Sequence, residues 1–516
     1  MLDAFRGRKP GKEPAPGDPI LGDLLRGEEG RRHGESYSDR NYFEDPERLA
    51  QSGFTDRAGD NFLGVIGGTT KLEPRLDGRV EPVTRGGTLV GSRDDRHRML
   101  VAGSRSGKGR CVLIPELLTY AGSMVVLDVK GENAAVTARF RAETLGQDVH
   151  VLDPFHVTPG HCAPYRTGFN PLAMLDPLSP TLVEDAGLIA DALIVPQDSK
   201  DSHWDETAKA FIEGVILHVA CGEYFEDERS LVTVGELIAG KQGPLKLLFE
   251  EMEEEGGPDN RVAAAAQALV DMGDNERGSV LSNARKNLKF LDYDSMHASL
   301  GADGFSLADL KKKPTTVYMV LPATRMATCR QWLRLFVNMT LAAIERSHAR
   351  PEHAVQMLLD EMPVLGTMKE LESAIGQMAG LGLRITSVLQ DLGQLKALYG
   401  DRFETFMGNS GVLQFFGNVD YFTSEWVSKY LGSTTIRLEE RGANSIESRS
   451  KGASAKSYRN HVQNLMTPEE VRRYFARDDR FNRQLVCIPG RRPYILQRAN
   501  YDQHEFFAGR YDQWRV

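Results

Sequence analysis

Three short stretches of the 516-residue chain carry residue types that could act together on a phosphorylated molecule. In "MLVAGSRSGKGR", residues 99–110, an apolar run leads into a glycine-rich loop with a single lysine, Lys108. Glycines let backbone N–H groups converge on phosphate oxygens, a following helix points its positive end at them, and the lysine reaches the terminal phosphates. The spacing predicts a nucleotide-binding loop over Ala102, Gly103, Ser104, Arg105, Ser106, Gly107, Lys108, Gly109 and Arg110. Gly109 stands where the usual pattern places a Ser or Thr hydroxyl on magnesium, and a chance glycine-rich turn is the competing reading.

The second stretch, "QMLLDEM", ends an apolar run in Asp360 and Glu361. Adjacent carboxylates at the end of a buried strand are costly unless they hold a cation or an activated water. Reach divides the work: Asp360 would hold Mg2+, directly or through water, and Glu361 would orient and deprotonate an attacking water. Without a hydroxyl at 109, Asp360 and ordered waters must supply more of the coordination. The alternative is a solvated pair at a strand end. Gln390, in "ITSVLQD", is polar at the tip of the next apolar run and suits a γ-phosphate sensor, or equally a turn residue bonded to backbone. Asp128 and Lys130 in "VVLDVKGEN" also follow a strand, where open α/β sheets place ligands, although one of them could simply close the turn.

Such residues need strands to position them. From Arg98 onward, apolar runs bounded by turn residues alternate with helical patterns: "RMLVAGS", "GSMVVLDVKG", "DVHVLDPF", "TTVYMVLPA", "AVQMLLDEM", "RITSVLQD" and "VLQFFGN". The pattern predicts an α/β fold with a mostly parallel sheet buried on both faces. Between "DVHVLDPF" and "TTVYMVLPA" the apolar residues instead follow helical spacing, as in Phe211, Ile212, Val215, Ile216 and Val219, which predicts an inserted all-α domain over roughly 172–300. The expected organisation is an N-terminal arm or adaptor over 1–80, with its first forty residues unpatterned, then nucleotide-domain segments at 81–171 and 301–516 around the insertion. Toward the C-terminus "ERGANSIESRSKGASAKSYRNH" reads as a loop or edge hairpin, Thr467-Pro468-Glu469-Glu470 as a capped helix start, and "RQLVCIPGRRPYILQR" as a hairpin turning at Pro489-Gly490.

Composition narrows the class. With 41% apolar and 26% charged residues the chain is globular in type, and its length calls for more than one ordinary core. A net charge of −9 argues against a surface coated for duplex DNA, so any nucleic-acid contact must be local, as in a lined channel. Five scattered cysteines lack metal spacing and read as reduced thiols; the neighbours His161 and Cys162 read as packing residues. No run approaches the ~18 apolar residues of a membrane helix, and no signal segment opens the chain.

From about residue 90 onward the chain resembles the type IV coupling proteins of TraG type, the DNA-translocating ATPases of conjugation and type IV secretion. The resemblance rests on ordered blocks that include "GSRSGKGRCVLIPELLTYAGSMVVLDVKGEN", "FNPL", "HWDETAKAFIEGVILHV", "ERGSVLSNARKNLKFL", "LLDEMPVLG", "MAGLGLRITSVLQDLGQLKALYG", "GNSGVLQFFGNVD" and "LMTPEEV". It implies a RecA-like P-loop domain with a helical insertion, ATP and Mg2+ as ligands, and a hexameric ring passing single-stranded DNA. Gly in place of the hydroxyl is common in the family, so the loop is expected to function. Relaxase and relaxosome proteins, type IV secretion ATPases and inner-membrane components are the implied partners. Family members usually begin with transmembrane helices; with none seen here, the expected location is cytoplasmic and peripheral at the inner membrane. An arginine from a neighbouring subunit commonly completes such sites, with Arg384 one candidate and Arg325 and Arg330 others. The competing functions are a duplex-DNA pump in segregation or packaging, and a nucleotide-regulated docking platform with little turnover.

Overall fold

The computed structural model describes residues 42–75, 78–195, 202–302, 304–441 and 456–514. Its centre is an eleven-stranded sheet formed by β1 (Asn61–Ile66), β4 (Thr88–Ser92), β5 (His97–Ala102), β6 (Met124–Asp128), β7 (Asp148–Leu152), β8 (Thr315–Val320), β9 (Val355–Asp360), β10 (Leu383–Leu389), β11 (Ser410–Phe416), β14 (Arg483–Cys487) and β15 (Tyr494–Gln497). The spatial order is β4-β1-β15-β14-β11-β5-β10-β9-β6-β8-β7. Seven strands, β11 through β7 in that order, run parallel, and the four at the other edge are antiparallel.

The continuous apolar runs form these strands because both faces are covered. Met99, Val101, Val125, Leu127, Met357 and Leu359 enter one buried cluster, while Leu100, Ala102, Val126, Leu358 and Val388 enter another. Successive side chains point to opposite sides, so every residue of such a strand must be apolar or bonded. The helices Ile114–Thr119 and Glu132–Arg139 cover the second face, and the long helix Met326–Arg346 packs on the first.

Between β7 and β8 the chain makes helices Leu182–Leu193, Ser202–Cys221, Leu231–Ala239, Leu245–Glu255, Arg261–Val270, Asp274–Leu288 and Asp294–Leu300. The flanking strands pair in parallel, Leu152 opposite Met319. The helical core is not walled off from the sheet: Leu182, Ile189 and Leu193 share a cluster with Trp332, Phe336 and Val337 of the long helix. Buried Arg334 stitches the two together, donating to the carbonyls of Ala192 at 3.0 Å and Leu365 at 3.0 Å.

Two segments differ from the sequence expectation. β1 lies within the interval expected to be an arm, yet it is fully buried in the main sheet against β4 and β15. A separate hairpin of β2 (Thr69–Pro74) and β3 (Val80–Arg85) follows it. The short, Gly-interrupted strands that build this edge carry little periodicity of their own. β12 (Ser433–Arg441) pairs with β13 (Lys456–Asn464) in a second hairpin outside the main sheet. Its serine-rich centre, like the arm's first forty residues, lies outside the described residues. Thr467 and Glu470 form a reciprocal capping box on the helix Pro468–Tyr474, and β14 and β15 pair across the turn at Pro489-Gly490.

Candidate nucleotide site

β5 ends at buried Ala102, and the loop Gly103–Lys108 leads into the helical turn Gly109–Leu113 and the helix Ile114–Thr119. The first turn of a helix leaves its N–H groups without intrahelical acceptors, and here they open at the carboxyl end of the parallel strands. Ser104 and Arg105 are exposed, Ser106 is buried, and Gly107 has φ +88°, a conformation that glycine adopts without strain. Side chains added at Gly107 or Gly109 would meet nothing within 4 Å, so the concave side of the loop is open.

The loop is fastened from behind. Gly103 donates to the Phe416 carbonyl at 3.2 Å, and a Cβ at Gly103 would lie 1.9 Å from the Gly417 carbonyl oxygen. Gly417, at φ +66°, leaves no room for one either, with Ser106 Cβ 2.5 Å away. Arg498, just past β15 and buried, donates to the carbonyls of Ser106 at 3.3 Å and Arg477 at 3.2 Å. Neither Gly417 nor Arg498 could be tied to the loop from sequence, because the contacts are made across strands far apart in the chain.

Opposite the loop, β9 ends at Asp360 and β10 at Leu389, bringing three polar residues to Lys108. Lys108 Nζ lies 3.0 Å from Asp360 Oδ1 and 3.0 Å from Glu361 Oε2. Gln390 Nε2 donates to the other Glu361 oxygen, Oε1, at 3.0 Å. Burial disfavours the ammonium, but the two carboxylates outweigh it and hold the Lys108 pKa above the usual lysine value. Glu361 takes a left-handed backbone, φ +83° and ψ +54°, which is uncommon for a residue with a side chain. Gln390 is itself framed: its N–H donates to Gln394 Oε1 at 3.2 Å and its carbonyl accepts from Asn418 at 3.2 Å.

The remaining candidates fall elsewhere. Asp128, fully buried at the end of β6, accepts N–H bonds from Ala134 at 2.9 Å and Lys130 at 3.4 Å, so it closes the turn. Burial, with the nearby Asp360 adding repulsion, pushes its carboxyl up to about 7. Lys130 is exposed. Arg110 turns away from the concave side, with Glu81 of β3 at 2.7 Å and Asp502 at 2.6 Å on its guanidinium. Arg384 sits at the amino end of β10, the opposite end from Gln390, with its guanidinium 3.4 Å from the Gly59 carbonyl, so it takes no part in this chain's own cluster. Strand polarity separates the two by the length of the strand. Arg325 and Arg330 lie beyond the carboxyl end of β8, Arg325 over the rings of Phe155 and Tyr293. His161 bonds the Ala135 carbonyl at 2.8 Å, and Cys162 is buried.

Hard carboxylate oxygens on Asp360 and Glu361, a lysine between them and an open glycine loop form a donor set that fits a magnesium-bound polyphosphate. A profile of the family described as "Type IV secretory system Conjugative DNA transfer" matches residues 45–514, and the chain belongs to that family. Conjugal transfer protein TraG of Escherichia coli is 29% identical over 399 residues, 73% of this chain and 61% of the relative. Protein VirD4 of Agrobacterium fabrum is 28% identical over 438 residues, 80% of this chain and 60% of the relative. The chain thus spans about 60% of the length of these relatives. Among solved structures, the bacterial conjugative coupling protein TrwBdeltaN70 aligns with a TM-score of 0.60 at 17% identity, covering 88% of this chain and 98% of that one. TrwB in complex with ADP and Mg2+ aligns at 0.56 and 16% identity, covering 86% and 98%. These likenesses establish the α/β fold. Among the described residues, no helix is long and apolar enough to cross a membrane.

Proposed function

We propose that the chain is an ATP-driven coupling protein that recruits relaxosome-bound single-stranded DNA, protein substrates or both to a type IV secretion channel and helps to move them through it. The observation that carries the reading is the convergence of Lys108, Asp360, Glu361 and Gln390 at the mouth of the glycine loop. Lys108 and the loop N–H groups hold the phosphates, Asp360 holds the metal, and Gln390 senses the γ-phosphate through the carboxylate it bonds. Mg2+, when bound, neutralises phosphate charge. Glu361, oriented by Gln390 and by its left-handed backbone, accepts the proton of the attacking water. Family membership supports the role in DNA transfer, with the chain acting in a homo-oligomer, a hexamer when active, at the cytoplasmic side of the inner membrane beside the secretion ATPases.

The test is phosphate release by the purified chain with and without single-stranded DNA. Hydrolysis that DNA accelerates, and that Lys108→Ala abolishes, is expected. Nucleotide binding without turnover in either condition would replace the motor with a docking platform, and acceleration by duplex alone would favour a duplex pump.

A further inference from the structure

The helical region carries an acidic cavity that the nucleotide reading does not use. It measures about 910 Å³ and lies among the helices Ser202–Cys221, Leu231–Ala239 and Leu245–Glu255 and the short turn Glu223–Phe225. Glu223, Glu251, Glu254 and Glu255 line it, and among the described residues no lysine or arginine does. Lys241 and Lys246, close by in the chain, are engaged elsewhere, with Asp292 at 2.8 Å and Glu250 at 3.3 Å. Glu251, Glu254 and Glu255 fall at the end of the helix Leu245–Glu255, whose last turn holds no basic residue. The carbonyls left free at a helix C-terminus carry partial negative charge, and like charges three or four positions apart repel, so this placement costs stability until a cation answers it.

A buried histidine points the same way, independently of the charge. His218 lines the cavity and is 3% exposed; its Nδ1 pairs with Glu255, and its Nε2 has no hydrogen-bond partner among the described residues. With the Nδ1 proton donated to the carboxylate, Nε2 keeps a lone pair, and an unpaired buried acceptor calls for an N–H donor. The rest of the lining chooses among cations. Phe225, Leu237, Leu247 and Leu248 give it apolar walls, which a hydrated metal ion does not use, and among the described residues no set of three His, Cys, Asp or Glu side chains is placed to hold a metal. Glu251 and Glu255 stand about one turn apart, roughly 6 Å along the helix axis, a span that four methylenes between two ammonium groups match. Tyr224, 96% exposed, offers its ring face to an ammonium. The volume lies within the roughly 300–1,000 Å³ of small-molecule sites. We propose that this cavity binds a linear polyamine, with its ammonium groups on the carboxylates and His218 Nε2 and its methylenes against the leucines.

The test is calorimetric titration of the full chain with spermidine, without nucleotide and in buffer holding Mg2+, so that sites for hard cations are already filled. Saturable binding is expected, with ethane-1,2-diamine, too short to bridge the acids, at least about tenfold weaker. Glu251→Gln and Tyr224→Ala change exposed positions and leave the melting temperature in place. Each should weaken spermidine about threefold to fivefold, and the pair together about tenfold. Glu404→Gln, an exposed acid outside the cavity, should leave the affinity within about twofold. Absence of saturable binding overturns the assignment, as does one affinity shared by the wild type and all the variants, which would mark diffuse attraction to an acidic surface. Equal affinity for the two amines overturns it as well. A chain that ignores spermidine yet binds a peptide of alternating lysine and leucine, and loses that peptide in Glu251→Gln, would make the cavity a peptide groove instead.

Discussion

Lys108 shares its charge between Asp360 and Glu361, and the proposed function gives each partner a separable role. Lys108→Ala should lower ATP turnover by at least about 100-fold, because a positioned charge aimed at the phosphates is worth several kcal/mol in the transition state. Its melting temperature should hold, since the lysine is partly exposed and crosses no core; phosphate release and thermal unfolding measured together check both halves. Glu361→Gln should keep ATP binding and lose turnover by about 10²–10⁴-fold, the range for removing a general base. Equal losses of binding and turnover would show that the metal-holding and proton-accepting roles of Asp360 and Glu361 are exchanged. Gly109 offers a third test. With open space around it and no left-handed backbone, Gly109→Ser should fold normally and, by adding a hydroxyl near the carboxylates, shift the Mg2+ dependence of hydrolysis to lower concentration. A shift to higher concentration would mean that the loop does not face the metal.

At the scale of elements, a buried polar network holds the loop helix to the sheet. Arg98 of β5 and Glu116 of the loop helix pair at 2.9 Å, each about 1% exposed. Glu116 also accepts from the Phe62 N–H of β1 at 2.7 Å and from Gln356 of β9 at 2.8 Å, and Arg98 donates to Gln414 of β11. Glu116→Ala strands the guanidinium in the interior and should cost about 3–5 kcal/mol in denaturant unfolding, whereas replacing Arg98 and Glu116 together by apolar residues should cost less. His97, at the start of β5, accepts the Ile385 N–H at 3.0 Å. Burial pushes its imidazole down to about 4, against an ordinary 6.5. As pH falls from 6.5 toward 4 the unfolded chain takes up the proton first, so stability should drop through that window by on the order of 3 kcal/mol. His97→Gln retains an acceptor and does not titrate; unfolding midpoints measured across the window should be flatter in this variant.

For the whole molecule, the shared core constrains how the helical region can be removed. Excising residues 172–300 would strip Leu182, Ile189 and Leu193 from the long helix and take the Ala192 carbonyl from buried Arg334. That deletion should therefore aggregate or unfold non-cooperatively, although β7 and β8 pair directly. A soluble, cooperatively folding product would establish the helical region as a separable domain. Assembly is tested by activity. If a neighbour completes the site, ATPase activity per chain should rise with protein concentration, and single-stranded DNA should move that rise to lower concentration. Light scattering across the same dilution series checks it; constant activity per chain in a proven monomer would sink the shared-site reading. Arg325→Ala, Arg330→Ala and Arg384→Ala are the arginine variants to compare in that assay, because an arginine that completes a neighbour's site need not lie beside the site of its own chain.

Some of this was legible in the sequence because the signals are local. The apolar runs around Met99, Val125, Val317, Leu358 and Val388 had to be strands covered on both sides, and their periodicity alone implied a mostly parallel sheet. Likewise the Thr467 cap and the turn at Pro489-Gly490 involve residues only a few positions apart. Other features depend on which strands become neighbours, which no local pattern encodes. Lys108 and Glu361 meet across 253 residues, and Arg498 braces Ser106 across 392. β1 joins the sheet through partners at β4 and β15, one of them near the far end of the chain. Arg384 and Gln390 look like neighbours on one strand in the sequence, but the strand's direction puts them at opposite ends of the sheet. A strand extends about 3.3 Å per residue, so six residues suffice to carry a side chain out of reach of a site that its near neighbour helps to form.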